Sequence, residues 1–201
     1  MTMIIGVAGG TASGKSTVCR QLVAGLGDRA TLITHDRYYF PLPPSWRSRV
    51  DEYNFDHPDA LETTRMRDDL LALKAGKTVQ LPRYDFTTQE RAQETDTVSP
   101  CDVIVVEGIL VLWEERLRDL CDHTFFVHVP ADIRLMRRLR RDMERRGRGV
   151  HHVLDQYEKT VRPSHERFIQ PSAVHATHVL DGTRPVVDLV ESVMLRAGLF
   201  G

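Results

Sequence analysis

The eight residues Gly9-Gly10-Thr11-Ala12-Ser13-Gly14-Lys15-Ser16 constrain this chain more than any other stretch. They match the spacing GxxxxGK[ST] in full. They follow the apolar run Ile4, Ile5, Val7, Ala8 and precede Val18, Leu22, Val23 and Leu26, which recur at helical spacing. Strand, glycine loop and helix in that order are the context in which this spacing forms a phosphate cradle. Glycines let backbone N–H groups converge on phosphate oxygens without Cβ clashes, and the helix N-terminus adds partial positive charge. The expected nucleotide-binding run is therefore Gly9 to Thr17. In it Lys15 reaches the β- and γ-phosphates, and the Ser16 hydroxyl suits a Mg²⁺ ligand.

The rest of the pattern alternates strand and helix. Thr31–Thr34, Val103–Val106, Phe125–Val129 and Val179–Leu180 are short apolar runs that read as buried strands. Helices are expected over residues 16–26, 131–146 and 186–196. One more is expected from Asp59, as its cap, to Lys74. Residues 150–168 are helical in pattern, with Pro163 expected to kink or split them. Residues 78–98 suit a hairpin. This alternation predicts an α/β fold with a parallel, doubly wound sheet, and 201 residues suffice for one domain, residues 1–201.

Composition narrows the function class. A net charge of -1 gives no global drive toward nucleic acid or an anionic membrane. No apolar run approaches a membrane span, and Met1–Ile5 lack the features of a signal peptide, so a cytoplasmic chain is expected. Cys19, Cys101 and Cys121 are odd in number and form no CxxC pair, which argues against a disulfide framework. The base-selecting NKxD and SAK motifs of GTPases are absent.

Three acids stand out. Glu107 ends the buried run 103–106, where a carboxylate can hold Mg²⁺ or enter a structural ion pair. Asp36 follows the second strand, on the edge where ligands bind such sheets. It can accept a proton from an attacking hydroxyl, ligate Mg²⁺ through water, or cap a helix. Asp56 lies in the stiff aromatic loop Tyr53-Asn54-Phe55-Asp56-His57-Pro58. A carboxylate there suits a vicinal diol and would repel a phosphorylated acceptor. Tyr84 and Phe86, at period two, fit either a flat base pocket or plain strand packing.

Residues 134–148 carry Arg134, Arg137, Arg138, Arg140, Arg141, Arg145, Arg146 and Arg148, opposite an apolar stripe of Leu135, Leu139 and Met143. Such a helix can be a solvated basic face or an RNA patch. Beside a P-loop it reads better as a lid over the transferring phosphate.

Taken together, GGTASGKST, the HDRYY segment, YNFDHPDA, the PRYDF segment, VVEGIL, the arginine-rich run and DQYEKTVRPSHERFIQP closely resemble the uridine kinase (uridine–cytidine kinase) family, in order across residues 4–180. The resemblance implies a P-loop fold with a five-stranded parallel sheet, a hairpin over the base at 78–98 and a lid at 134–150. It implies transfer of the γ-phosphate of ATP, or of GTP as an alternative donor, to the 5′-hydroxyl of uridine or cytidine. By the same resemblance Asp36 is the general base, working with Lys15, and Ser16, Asp36 and Glu107 lie at Mg²⁺. Asp56 would hold the ribose hydroxyls, aided by Arg138 and Gln156. Tyr84, Phe86 and Gln89 would line the base pocket, with Arg148 and Tyr157 nearby, and Arg141 and Arg146 would contact phosphate. A homotetramer inhibited by pyrimidine triphosphates is also implied. The alternatives are a P-loop kinase for another small acceptor, of phosphoribulokinase or pantothenate kinase type, or a non-catalytic nucleotide-binding module. The sequence departs from the family's habit at two positions. Arg37 stands where a small or acidic residue is usual, and Gln89 where histidine is common.

Overall fold

The computed structural model describes residues 2–200, apart from the side chain of Arg145; Met1 and Gly201 of the expected 1–201 domain lie outside the described residues. The chain runs β1 (Met3–Ala8), α1 (Lys15–Leu26), β2 (Ala30–Thr34), α2 (Thr63–Lys74), β3 (Val79–Asp85), β4 (Glu90–Val98), β5 (Val103–Glu107), α3 (Glu115–Arg118), β6 (His123–His128), α4 (Ala131–Arg146), α5 (Val150–Gln156), α6 (Arg162–Ser164), β7 (His178–Asp181) and α7 (Val186–Arg196). Five strands form one parallel sheet in the order β2-β5-β1-β6-β7. A parallel sheet is covered on both faces, which is why β1 and β5 are apolar without alternation.

Successive residues still feed opposite faces. Ile4, Ile104, Val106 and Phe126 pack with Met66, Leu70 and Leu73 of α2 on one side. Ile5, Val7, Val105 and Phe125 pack with Val18 and Leu22 of α1 and Val193 of α7 on the other. α1 and α4 each close on a glycine with positive φ, Gly27 at 58° and Gly147 at 62°, a backbone state that side chains with a Cβ resist. No helix among the described residues is long and apolar enough to cross a membrane.

Two sequence expectations need correction. α2 begins at Thr63 rather than Asp59. Pro58–Ala60 is instead a separate 3₁₀ turn, capped by His57, whose Nδ1 accepts from the Asp59 N–H at 3.2 Å. Pro163 does not split its helix. The chain stays in right-handed helical conformation on either side of it, with π turns at Tyr157–Val161 and His165–Ile169. There the hydrogen bonds lengthen to i→i−5, as from Gln170 N–H to His165 O at 2.8 Å. The wider turns accommodate a residue that has no N–H to donate.

The hairpin expected over 78–98 is present as antiparallel β3 and β4, with a register shift between Pro82 and Tyr84. It stands apart from the main sheet and is tied down by arginines. Arg91 donates to Glu62 (2.6 Å) and to the carbonyls of Tyr38 and Tyr39. Arg37 donates to Asp96 of β4 (2.6 Å) and to Pro82 O. Although Arg37 neighbours Asp36 in sequence, its charge is directed into the hairpin base and paired there.

Candidate active site

The loop 9–14 leaves β1 and wraps the N-terminus of α1. Gly9 and Gly14 hold φ of 150° and 95°, accessible to glycine at little cost. A Cβ on Gly9 would lie 2.6 Å from Val127 O, and one on Gly10 2.7 Å from the Arg134 guanidinium. The loop is thus seated against β6 and α4, and its backbone cannot take larger residues there without shifting.

Strand register then brings the acids to it. Glu107 is level with Val7 of β1 and with Thr34 of β2, so Asp36, two residues past Thr34, emerges on the same sheet edge. Ser16 Oγ donates to Glu107 Oε1 at 2.9 Å, and Lys15 Nζ lies 3.8 Å from Oε2. Oε2 is buried and has no hydrogen-bond partner. The Asp36 carboxyl is pushed up to about 6, first by burial and then by the negative charge of Glu107. Asp56 adds to the rise, while Lys15 and Arg146 oppose it. All five groups therefore share one electrostatic field. Gly108 permits the close approach that fixes the Asp36 turn, since a Cβ there would sit 2.5 Å from His35 Cβ. His35 itself is buried, 3.1 Å from Thr63 Oγ1. Burial pushes its imidazole down to about 3, so it anchors the turn as a neutral ring.

Asp56 faces the same space. Its N–H is held by Asn54 Oδ1 at 3.1 Å, and Asn54 Nδ2 donates to Ser164 Oγ at 2.9 Å. Its Oδ2 is buried without a hydrogen-bond partner. Burial raises its pKa, and the positive charges of Arg138, Lys15 and Arg141 work against the rise. An unpaired buried carboxylate oxygen is costly, and a ligand hydroxyl donating to it would remove that cost.

The basic helix α4 turns several of its arginines inward. Arg138 donates to Thr11 Oγ1 of the loop (3.0 Å) and to Gln156 Oε1 of α5 (2.7 Å); Arg148 donates to the same Gln156 oxygen at 3.2 Å. Arg141 lines a cleft of about 540 Å³ with Gly14, Lys15, Thr17, Arg137 and Gly182. Tyr157 lies on the π turn after α5; burial lowers the pKa of Arg134, and Tyr157 opposes that shift.

Aromatic rings gather beneath the hairpin. Tyr39 meets Tyr84 (centroids 5.3 Å apart), Phe55 (5.8 Å) and Phe86 (6.3 Å), and Tyr84 meets Phe86 at 5.1 Å. The Tyr84 hydroxyl is buried without a hydrogen-bond partner, whereas Phe86 is 59% exposed. Gln89 sits at φ 55° in the hairpin turn, and its Nε2 donates to the carbonyls of Phe86 (3.0 Å) and Thr87 (3.1 Å) of that turn. The amide nitrogen proposed to read a base is thus engaged by its own backbone. Sequence reasoning did not single out Tyr39, Phe55 and Arg137. The first two lie in segments already noted, HDRYY and YNFDHPDA; nothing in the sequence distinguished Arg137 from its neighbours.

The donor set fits a divalent cation. Ser16, Glu107 and Asp36 are hard oxygen donors, and Glu107 has a buried oxygen free for a further bond. No cluster of three or more His, Cys, Asp or Glu able to hold a metal occurs among the described residues. A site of one or two carboxylates completed by phosphate and water is the arrangement Mg²⁺ favours.

Residues 4–189 match the model of the Phosphoribulokinase / Uridine kinase family. Uridine kinase-like protein 5 of Arabidopsis thaliana is 45% identical over 178 residues, covering 88% of this chain; the chain spans only 38% of that relative's length. A uridine kinase of Chloroflexus aurantiacus is 45% identical over 181 residues, 90% of this chain and 87% of the relative. Among solved structures, phosphoribulokinase from Rhodobacter spheroides superposes with a TM-score of 0.65 at 15% identity, covering 92% of this chain and 74% of that one. That likeness speaks for the fold alone.

Proposed function

The chain belongs to the phosphoribulokinase / uridine kinase family, and from that premise we propose that it is a uridine/cytidine kinase, transferring the γ-phosphate of ATP to the 5′-hydroxyl of a pyrimidine ribonucleoside. The observation that carries this reading is the convergence of Lys15, Ser16, Glu107, Asp36 and the unpartnered Asp56 carboxylate on one sheet edge. Relatives named uridine kinase at this identity support it.

In this reading the 5′-oxygen attacks the γ-phosphorus as the bond to the β,γ-bridging oxygen breaks, and ADP leaves. Asp36 takes the hydroxyl proton. A carboxyl at about 6 is ionised at neutral pH yet more basic than an ordinary aspartate. Lys15, Arg141 and Arg146 stabilise charge on the transferring group. Ser16, Glu107 and Asp36 would hold Mg²⁺, which would supply neutralisation of phosphate charge. Asp56 accepts from the 2′- and 3′-hydroxyls, with Arg138 and Gln156 beside it, and the Tyr39, Tyr84 and Phe86 rings flank the base near Arg148 and Tyr157. A buried carboxylate facing the acceptor disfavours an acceptor that is itself phosphorylated.

The same reading extends to residues 1–201 acting as one kinase domain, GTP as an alternative donor, a cytoplasmic place in pyrimidine salvage, a homotetramer, and feedback by pyrimidine triphosphates. The test is coupled ADP release with ATP and Mg²⁺ across uridine, cytidine, ribulose 5-phosphate and pantothenate. Stimulation by the two nucleosides alone is expected. Stimulation by either of the others, or turnover indifferent to all four, would overturn the assignment.

A further inference from the structure

One carboxylate in the basic helix has no place in the scheme above. Asp142 is 0% exposed, and four guanidinium groups surround it. Arg141 Nε donates to Oδ1 at 2.8 Å, Arg146 Nη1 lies 3.5 Å from the same oxygen, and Arg138 Nε and Arg148 Nη1 lie 3.7 and 3.9 Å from Oδ2. Burial works to raise the carboxyl's pKa, but the Arg141 hydrogen bond and the charges of Arg141, Arg138 and Arg146 outweigh it, so the ionised form is favoured.

The edges used are informative. Arg141 donates its Nε to Asp142, whereas Arg138 only faces Oδ2 with its Nε, at 3.7 Å and without a hydrogen bond. This leaves the Nη groups of Arg138 for Thr11 and Gln156, and Arg141 on the wall of the phosphate cleft. A guanidinium is a rigid planar fork, so fixing its Nε edge fixes where the Nη donors point. The backbone also converges here. The carbonyl of Asp142 accepts from the N–H groups of Gly147 and Arg148, so the helix end and the side-chain hub are joined at one residue.

We propose that Asp142 is a positioning residue that holds the inner edge of Arg141 by a hydrogen bond, and the charges of Arg138, Arg146 and Arg148 by attraction, so that their outer donors face phosphate and acceptor. This rests on the kinase reading. A carboxylate also competes with phosphate for these cations. Removing it therefore loosens geometry while raising local positive charge. The two effects have opposite signs in ground-state binding and in the transition state.

The test is Asp142→Asn, which keeps volume and the backbone cap, measured by steady-state kinetics, by inhibition with inorganic tripolyphosphate and by thermal melting. The expected result is a kcat loss of roughly tenfold or more, the scale on which misplaced groups act. Tripolyphosphate binding should be unchanged or tighter, and the uridine KM should stay within about threefold. Arg141→Lys keeps the charge but loses the Nε edge, so it should also lose kcat. The double variant should be little worse than Arg141→Lys alone. A folded Asp142→Asn with kcat near wild type overturns the proposal, as do fully additive losses. If Asp142→Asn does not fold, Arg141→Lys decides alone: loss of kcat supports the hub and full kcat overturns it. Absence of nucleoside-stimulated turnover in the wild-type chain would instead remove the kinase reading.

Discussion

The two ends of the cleft are built differently. At the phosphate end side chains from separate elements tie to one another: Ser16 donates to Glu107 and Lys15 lies beside it, although Glu107 Oε2 and Ser13 Oγ stay buried without a hydrogen-bond partner. At the acceptor end Asp56 Oδ2 and Tyr84 Oη are buried with no partner, and Phe86 projects into solvent. The first end is fixed by strands and a helix start; the second hangs from a loop and a hairpin. A ligand would complete open hydrogen bonds at both ends; the difference in support implies that the phosphate site is preformed, whereas the acceptor site rests on a loop and a hairpin. Chemistry should then fail abruptly when the first end is altered, and selectivity should fail gradually at the second.

Loss at the phosphate end gives the largest expected effect. Asp36→Asn should lower kcat by ~10²-fold or more while ATP binding, followed by fluorescence titration, persists. In the wild type, kcat/KM should fall as pH drops through about 6, because protonation of Asp36 removes the base; the Asn variant should lose that inflection. Next is Asp56→Ala, expected to cost roughly tenfold to a hundredfold in kcat/KM for uridine, the range for a charged hydrogen-bonding group. Most of the preference for uridine over 2′-deoxyuridine should go with it, which a comparison of the two sugars would show. A wild type indifferent to the sugar would break the contrast drawn here.

Smaller effects sharpen it. Arg37→Ala releases one tie of the hairpin to Asp96, a partly exposed pair screened by solvent. The nucleoside KM should rise by less than about fivefold, with kcat kept. Gln89→Leu should be smallest. With the amide nitrogen bound to its own turn, the uridine-to-cytidine ratio should move by under about threefold, less than one re-optimised hydrogen bond. Tyr84, whose hydroxyl both donates and accepts, then serves either base. A large change in the ratio would return Gln89 to the base pocket.

Much of this was legible in the sequence because the informative chemistry is local. The glycines, Lys15 and Ser16 act through adjacent backbone, and the apolar runs at 103–106 and 125–129 read directly as buried parallel strands. What depended on distant partners was not legible. Asp59 has the chemistry of a cap, but His57 caps a separate 3₁₀ turn over Pro58–Ala60, and α2 begins only at Thr63. Pro163 carries a local penalty that two π turns absorb. The effect of Arg37 beside Asp36 could not be read because its partner, Asp96, is 59 residues away in sequence. Asp142 was one acid in a basic run, and only packing shows four arginines around it.

The central claim concerns which atom receives the phosphate, and phosphorus NMR of the product formed from ATP, Mg²⁺ and uridine tests it most directly. The account predicts a monoester coupled to the two 5′-methylene protons of the ribose, formed together with ADP. A phosphate coupled to the 2′- or 3′-proton, or inorganic phosphate with unmodified uridine, would contradict it.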